Sequence, residues 1–120
     1  MKKKILIVED EEDILYFAKI RLKSVDYEVL TAKNTKDAMD IVVKNKPDLI
    51  LLDLLLPGER GEEFCKRLKA NEKFKTLPVI LFTATAHKID GKIKETGADD
   101  GVMKPFDPKV LFKKIEKFIK

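Results

Sequence analysis

The chain has 120 residues, 44% hydrophobic and 38% charged, and its 25 Lys and Arg outnumber 21 Asp and Glu for a net charge of +4. That length supports one core and one domain, residues 1–120. A single cysteine, Cys65, excludes an intrachain disulfide and a cysteine metal cage, and the longest apolar run, Leu49 to Leu56, is interrupted by Asp53 and too short to span a membrane.

The first strand is read over Lys4–Val8, and it runs straight into five acids, Glu9, Asp10, Glu11, Glu12 and Asp13. The last three are expected to lead the first helix, where negative charge complements the helix dipole. Ile14, Phe17, Ala18 and Leu22 follow helical spacing there, with Arg21 the one polar member of the stripe, while Leu15, Tyr16 and Ile20 fall outside it. Glu28–Ala32 reads as the second strand, and Ala38, Ile41 and Val42 mark the second helix. The stretch "DLILLD", Asp48–Asp53, is almost continuously apolar, as strands covered on both faces are. Phe64 and Leu68 mark a third helix, on which Cys65 is expected to be an inert thiol. Pro78–Thr83 is the fourth strand, Lys88–Thr96 a weak helix interrupted by Gly91, and Asp100–Met103 the fifth strand. The last helix carries Leu111, Ile115, Phe118 and Ile119, with Asp107 as its N-cap and Pro108 in its first position.

Five strands alternating with five helices predict an α/β fold, a doubly wound parallel sheet with helices on both faces. Ligands of such sheets bind beyond the carboxyl ends of the strands. Those ends carry Glu9 and Asp10, Asp53, Thr83 and Lys104: three carboxylates, a hydroxyl and an ammonium. Acids about 5 Å apart would repel by roughly 3 kcal/mol per pair at an effective dielectric of 20. A divalent cation relieves that repulsion, and hard oxygen ligands with open positions suit Mg²⁺. A carboxylate such as Asp53 beside the cation can attack a phosphoryl group, with Lys104 and Thr83 placed for the remaining oxygens.

Together these residues resemble the receiver domain of bacterial response regulators, over Lys3 to Ile119. The likeness rests on the acidic pair "ED" after strand one, "DLILLDLLLPGERG" with Asp53, Pro57 and Gly61, "VILFTA", and "GADDGVMKPF". It implies a flavodoxin-like sheet in the order 2-1-3-4-5, close to the single-domain chemotaxis regulators. It implies Asp53 as phospho-acceptor and Glu9, Asp10, Asp53 and the Leu55 backbone carbonyl as ligands of Mg²⁺ or Mn²⁺, with Glu9 acting through water. Thr83 and Lys104 would contact the phosphoryl oxygens, the Lys104–Pro105 bond would be cis, and the small Ala84 would leave the phosphoryl group room.

The chain departs from the family pattern at Glu9, where Asp is commoner, and at Asp26, where a helix-ending Gly is usual and Asp accepts the left-handed conformation. The span from Thr83 to Lys104 is about one residue short, and Gly101 stands where an aromatic or His usually moves on activation. The response to phosphorylation is therefore expected in residues 84–97, which include His87, read as an exposed loop residue.

The function expected is a phosphorylation-activated switch that is not itself an enzyme. It takes phosphate from a sensor histidine kinase or phosphotransfer protein and signals by contact with a downstream protein, helped by Leu15 as a kinase-facing residue. The chain is either a single-domain regulator or a receiver fragment of a longer one. A haloacid-dehalogenase-type phosphatase would need a second Asp two residues after the nucleophile, where Leu55 stands, and room for a cap. A metal-blind adaptor would have no use for the acids and Lys104. The lysines are interleaved with acids and lack alternating aromatics, so no specific nucleic acid and no membrane are expected as partners. A cytoplasmic monomer or weak dimer is expected. Three Asn, no Gln and abundant Lys and Glu give a thermophile-like surface.

Overall fold

A computed structural model describes residues 2–84 and 88–119. Among them, β1 (Lys4–Val8), α1 (Glu12–Ser24), β2 (Glu28–Ala32), α2 (Thr35–Asn45), β3 (Leu49–Asp53), α3 (Gly61–Ala70), β4 (Val79–Thr83), α4 (Ile89–Thr96), β5 (Asp100–Met103) and α5 (Pro108–Phe118) alternate along the chain. The strands are parallel in the order β2-β1-β3-β4-β5. Successive strand side chains point to opposite faces. Ile5, Ile7, Leu49, Leu51, Ile80 and Phe82 meet α1 and α5 through Ala18, Leu22, Leu111 and Ile115. On the other face, Leu6, Val8, Ile50, Leu52, Val79 and Leu81 pack with Ala38 and Val42 of α2 and with Phe64 and Leu68 of α3.

Strands β3 and β4 each begin one residue later than the apolar pattern implies. Asp48 turns its carboxylate onto the backbone N–H of Lys4, 2.7 Å away, and Pro78 has no N–H for the ladder although its carbonyl accepts from Ile50 at 2.9 Å. Asp26 closes α1 with φ 71°, and Asp107 caps α5 by accepting from Lys109 N–H at 2.9 Å. The Lys104–Pro105 peptide is cis.

Helix α1 departs from its expected stripe. Phe17 is 42% exposed, while Leu15 is half-buried against the α1–α5 side of the core. The reason lies in neighbours distant in sequence: Phe106 takes the inner place, and the Phe17 ring leans on it with centroids 5.5 Å apart and carries the Arg21 guanidinium at 4.9 Å. Helix α4 forms in spite of Gly91. It has eight residues and no side-chain cap at its start, and it is seated by tertiary contacts.

Two glycines permit close approaches that a Cβ would crowd. A Cβ built on Gly61 would lie 2.1 Å from the Asp53 carbonyl oxygen, and one on Gly101 would lie 2.6 Å from Cδ1 of Ile89. The first neighbour is backbone and cannot yield; the second is the end of a side chain and can. Gly61→Ala is therefore expected to destabilise the domain by roughly 2–4 kcal/mol, and Gly101→Ala by about 1 kcal/mol. Urea unfolding midpoints of the two variants check the order.

Candidate phosphoryl and metal site

Strand register assembles the site. Val8 pairs with Leu52, so Glu9, one residue on, comes level with Asp53; Asp53 pairs with Phe82, just before Thr83; and Thr83 pairs with Met103, just before Lys104. The bond from Lys104 N–H to the Thr83 carbonyl, 2.9 Å, and that from Glu9 N–H to the Ala32 carbonyl, 3.0 Å, extend the ladders past the strand ends. Five chemically active residues from four strands thus converge at the edge where the winding reverses.

Glu9, Asp10 and Asp53 each offer a carboxylate oxygen, and these atoms lie within 4.8 Å of one another. Glu9 is wholly buried and Asp53 nearly so, while Asp10 is exposed. The Lys104 ammonium sits among them, 2.5 Å from Glu9 Oε1, 3.2 Å from Asp53 Oδ1 and 4.6 Å from the centre of the Phe82 ring. Burial, followed by a hydrogen bond shared with Asp53, pushes the Glu9 carboxyl up to about 7 against the pull of Lys104. Leu55 is 57% exposed, and its N–H donates to Asp53 Oδ1 at 3.3 Å, which holds the loop after β3 over the acids. Hard oxygen donors of this number and spacing fit a divalent cation.

Asp53 and Lys104 open onto a cleft of roughly 440 Å³ whose largely apolar walls come from Ile14, Phe17, Leu55, Ala84, Pro105 and Phe106, with Glu11 and Asp13 also lining it. A largely apolar wall around a charged floor is the usual make-up of a ligand pocket. Every expected site residue lies at this edge. His87 lies outside the described residues. Cys65 is buried, donates to the Thr96 carbonyl at 3.7 Å, and burial pushes its thiol up, as an inert thiol requires. Sequence reasoning missed Phe106, which backs the cleft, and the buried Glu62. An acid in the first turn of a helix reads as a dipole partner, and nothing local distinguishes Glu62 from its exposed neighbour Glu63.

Fold and site together define a flavodoxin-like α/β domain with a cation-competent acid cluster at the switch point. The chain belongs to the response regulator receiver domain family, which matches residues 5–116; it is a receiver domain of two-component signalling. It is 44% identical over 116 residues to the phosphate regulon transcriptional regulatory protein PhoB of Pseudomonas aeruginosa, a match covering 95% of this chain and 50% of that protein, so the chain spans about half the length of this relative. The chemotaxis protein CheY4 of Vibrio cholerae superposes with a TM-score of 0.90 at 28% identity, covering 99% of this chain and 100% of that one. The receiver domain of the sensor histidine kinase PA1611 from P. aeruginosa, solved with a magnesium ion coordinated in its active-site cleft, superposes with a TM-score of 0.91 at 27% identity, covering 99% and 98%. No helix among the described residues is long and apolar enough to cross a membrane.

The position of the Glu9 carboxyl sets a pH dependence. Its folded value is raised, so the stability it contributes is fully present below the ordinary value of 4.5 and is lost as pH rises through about 7. A cation needs the ionised form, so the proton competes with it. Affinity for a divalent cation is expected to rise by up to about tenfold per pH unit below about pH 7 and to level off above it. Calorimetric titrations across that range, with Glu9→Gln flattening the slope, check it.

Proposed function

We propose that the chain is a phosphorylation-activated switch and that Asp53 accepts the phosphoryl group of a phosphohistidine. The reading is carried by the placing of Lys104: its ammonium lies 3.2 Å from Asp53 Oδ1 at the floor of an open cleft bounded by the small Ala84. A lysine bound so closely to acids is redundant for holding a cation alone, and becomes useful when a phosphoryl group adds negative charge. Mg²⁺, or Mn²⁺, held by Glu9, Asp10, Asp53 and the Leu55 carbonyl would offset the charge of the acids and of the phosphoryl oxygens.

An Asp53 carboxylate oxygen attacks phosphorus. The new O–P bond forms as the P–N bond breaks, and the imidazole leaves with the bonding pair and is free to take a proton from solvent. Lys104 turns from Glu9 and Asp53 to an incoming phosphoryl oxygen, and the Thr83 hydroxyl donates to another. Attack of water on the acyl phosphate resets the chain. In this sense it promotes only its own phosphorylation and dephosphorylation and is not an enzyme acting on other substrates.

Receiver domains interact with histidine kinases and downstream effectors. Here the donor, a sensor kinase or phosphotransfer protein, docks on the apolar rim formed by Ile14, Phe17, Leu55 and Phe106. Phe17 and Leu55, both exposed, join Leu15, the kinase-facing residue expected from the sequence, which is half-buried. Output is by protein contact. The half-length match to PhoB supports a second reading in which this receiver serves a longer regulator.

Asp53→Asn is expected to abolish the mass gain of one phosphoryl group on incubation with Mg²⁺ and acetyl phosphate while leaving the fold intact. Full labelling of the variant overturns the assignment. Phe17→Ala is expected to slow transfer from a phosphorylated histidine protein by roughly tenfold and to leave the acetyl phosphate rate unchanged. An equal loss with both donors places Phe17 in the chemistry instead.

A further inference from the structure

Among the described residues, one buried charge stands outside the phosphoryl site. Glu62, in the first turn of α3, is 7% exposed. Its Oε1 accepts from Arg60 Nε at 2.9 Å and its Oε2 accepts from Lys92 Nζ, in the middle of α4. The carboxylate is thus shared between the loop that follows Asp53 and a separate helix.

Its backbone is tied to the phospho-acceptor. The Gly61 N–H donates to the Leu54 carbonyl at 3.0 Å, and the missing Cβ of Gly61 lets the chain lie against the Asp53 carbonyl. The loop from Leu54 to Arg60 is therefore closed at its base on Asp53, and Glu62 is the next residue but one after Arg60. Asp53 and the first turn of α3 are thus in direct backbone contact.

Helix α4 is the element able to respond. Eight residues without a side-chain cap do not hold a helix in place by themselves. It is seated on β5, where Ile89 and Ile93 lie against Gly101, and on α3, where Lys92 meets Glu62 and the Thr96 carbonyl meets the Cys65 thiol. At the α3 seat Lys92 contacts two carboxylates at once, Glu62 on α3 and Glu95 on its own helix. Lys92 has a second carboxylate at hand on its own helix, Glu95 at 3.5 Å, and Glu62 keeps Arg60 when Lys92 leaves. Loss of the Glu62–Lys92 contact would therefore leave neither charge unpaired, which makes the contact one that a bias between two positions of α4 can act on.

We propose that the Glu62–Lys92 ion pair couples occupancy of Asp53 to the position of α4, with Glu62 and Lys92 as positioning residues. The inference rests on the reading of Asp53 as phospho-acceptor. Linkage makes the coupling reciprocal: if phosphoryl binding biases the pair, removing the pair changes affinity for a phosphoryl mimic.

The test uses the full chain with Mg²⁺ and beryllofluoride, measuring its affinity together with the backbone amide shifts of Ile89–Thr96. Wild type, Lys92→Gln, Glu62→Gln and the double variant are compared. The α4 amides of the wild type are expected to shift on binding, and the shifts are expected to fall to less than about half in Lys92→Gln. Each single variant is expected to change the affinity by roughly threefold or more, with the double variant matching either single rather than their product. Full-sized α4 shifts in Lys92→Gln, or independent effects of the two substitutions, overturn the inference. Lys92→Arg keeps the charge and is expected to keep the response; if Glu62→Gln does not fold, this variant and Lys92→Gln decide the matter. Acetyl phosphate labelling separates the two levels. A wild-type chain that is labelled at Asp53 but whose α4 ignores Lys92 overturns the coupling alone, whereas a wild-type chain that takes up neither label nor mimic overturns both.

Discussion

Carboxylates from the ends of two adjacent strands are held within 4.8 Å of one another, two of them buried, and one lysine from β5 holds that cluster together. Left alone, such acids repel with an energy that is a sizeable part of a domain's stability. Lys104 answers part of the repulsion, and the Glu9 carboxyl answers another part by holding its proton up to about pH 7. The balance is partial, and a partial balance is what a ligand site needs. A fully neutralised cluster would have no affinity left for a cation, and an uncompensated one would not fold.

The sheet makes this balance available at low structural expense. Each active residue lies at or just past the end of its strand, so its side chain reaches the edge while the four residues before Glu9, Asp53 and Thr83 stay in the core. The two helical layers are unequal in what they add. Helices α1 and α5 contribute the apolar wall of the cleft, through Ile14, Phe17 and the segment leading to α5. Helices α3 and α4 contribute the link away from it. Gly61 anchors the start of α3 on the Asp53 backbone, and Gly101 lets α4 settle on β5. The two glycines thus bracket the path from Asp53 to α4, each by allowing an approach that a Cβ would crowd.

Helix α1 shows how local pattern and tertiary contact divide the work. Helical spacing put Phe17 with Ala18 and Leu22, and the spacing is right as geometry. Phe17 nevertheless sits at the rim, because the aromatic that fills the inner space, Phe106, comes from the other end of the chain. Helix α4 is the reverse case. Its sequence argues weakly for a helix, and packing on α3 and β5 supplies what propensity does not.

The element order, the two-sided burial of β3 and β4 and the set of residues at the strand ends were legible in the sequence. Periodicity and strand-end position are local properties, and five chemically active residues in one family's order leave little ambiguity. The strand order, the cis bond before Pro105 and the roles of Asp26 and Asp107 also followed, the first two from the family resemblance and the others from residues whose backbone preferences are strong. Three things required the tertiary structure: the grip of Lys104 on Glu9, the exposure of Phe17, and the burial of Glu62 between Arg60 and Lys92. Each depends on a partner between 30 and 95 residues away. A charge or a ring carries no sign in the sequence of whom it will meet, since that is decided by which strands pair and which helices cover them.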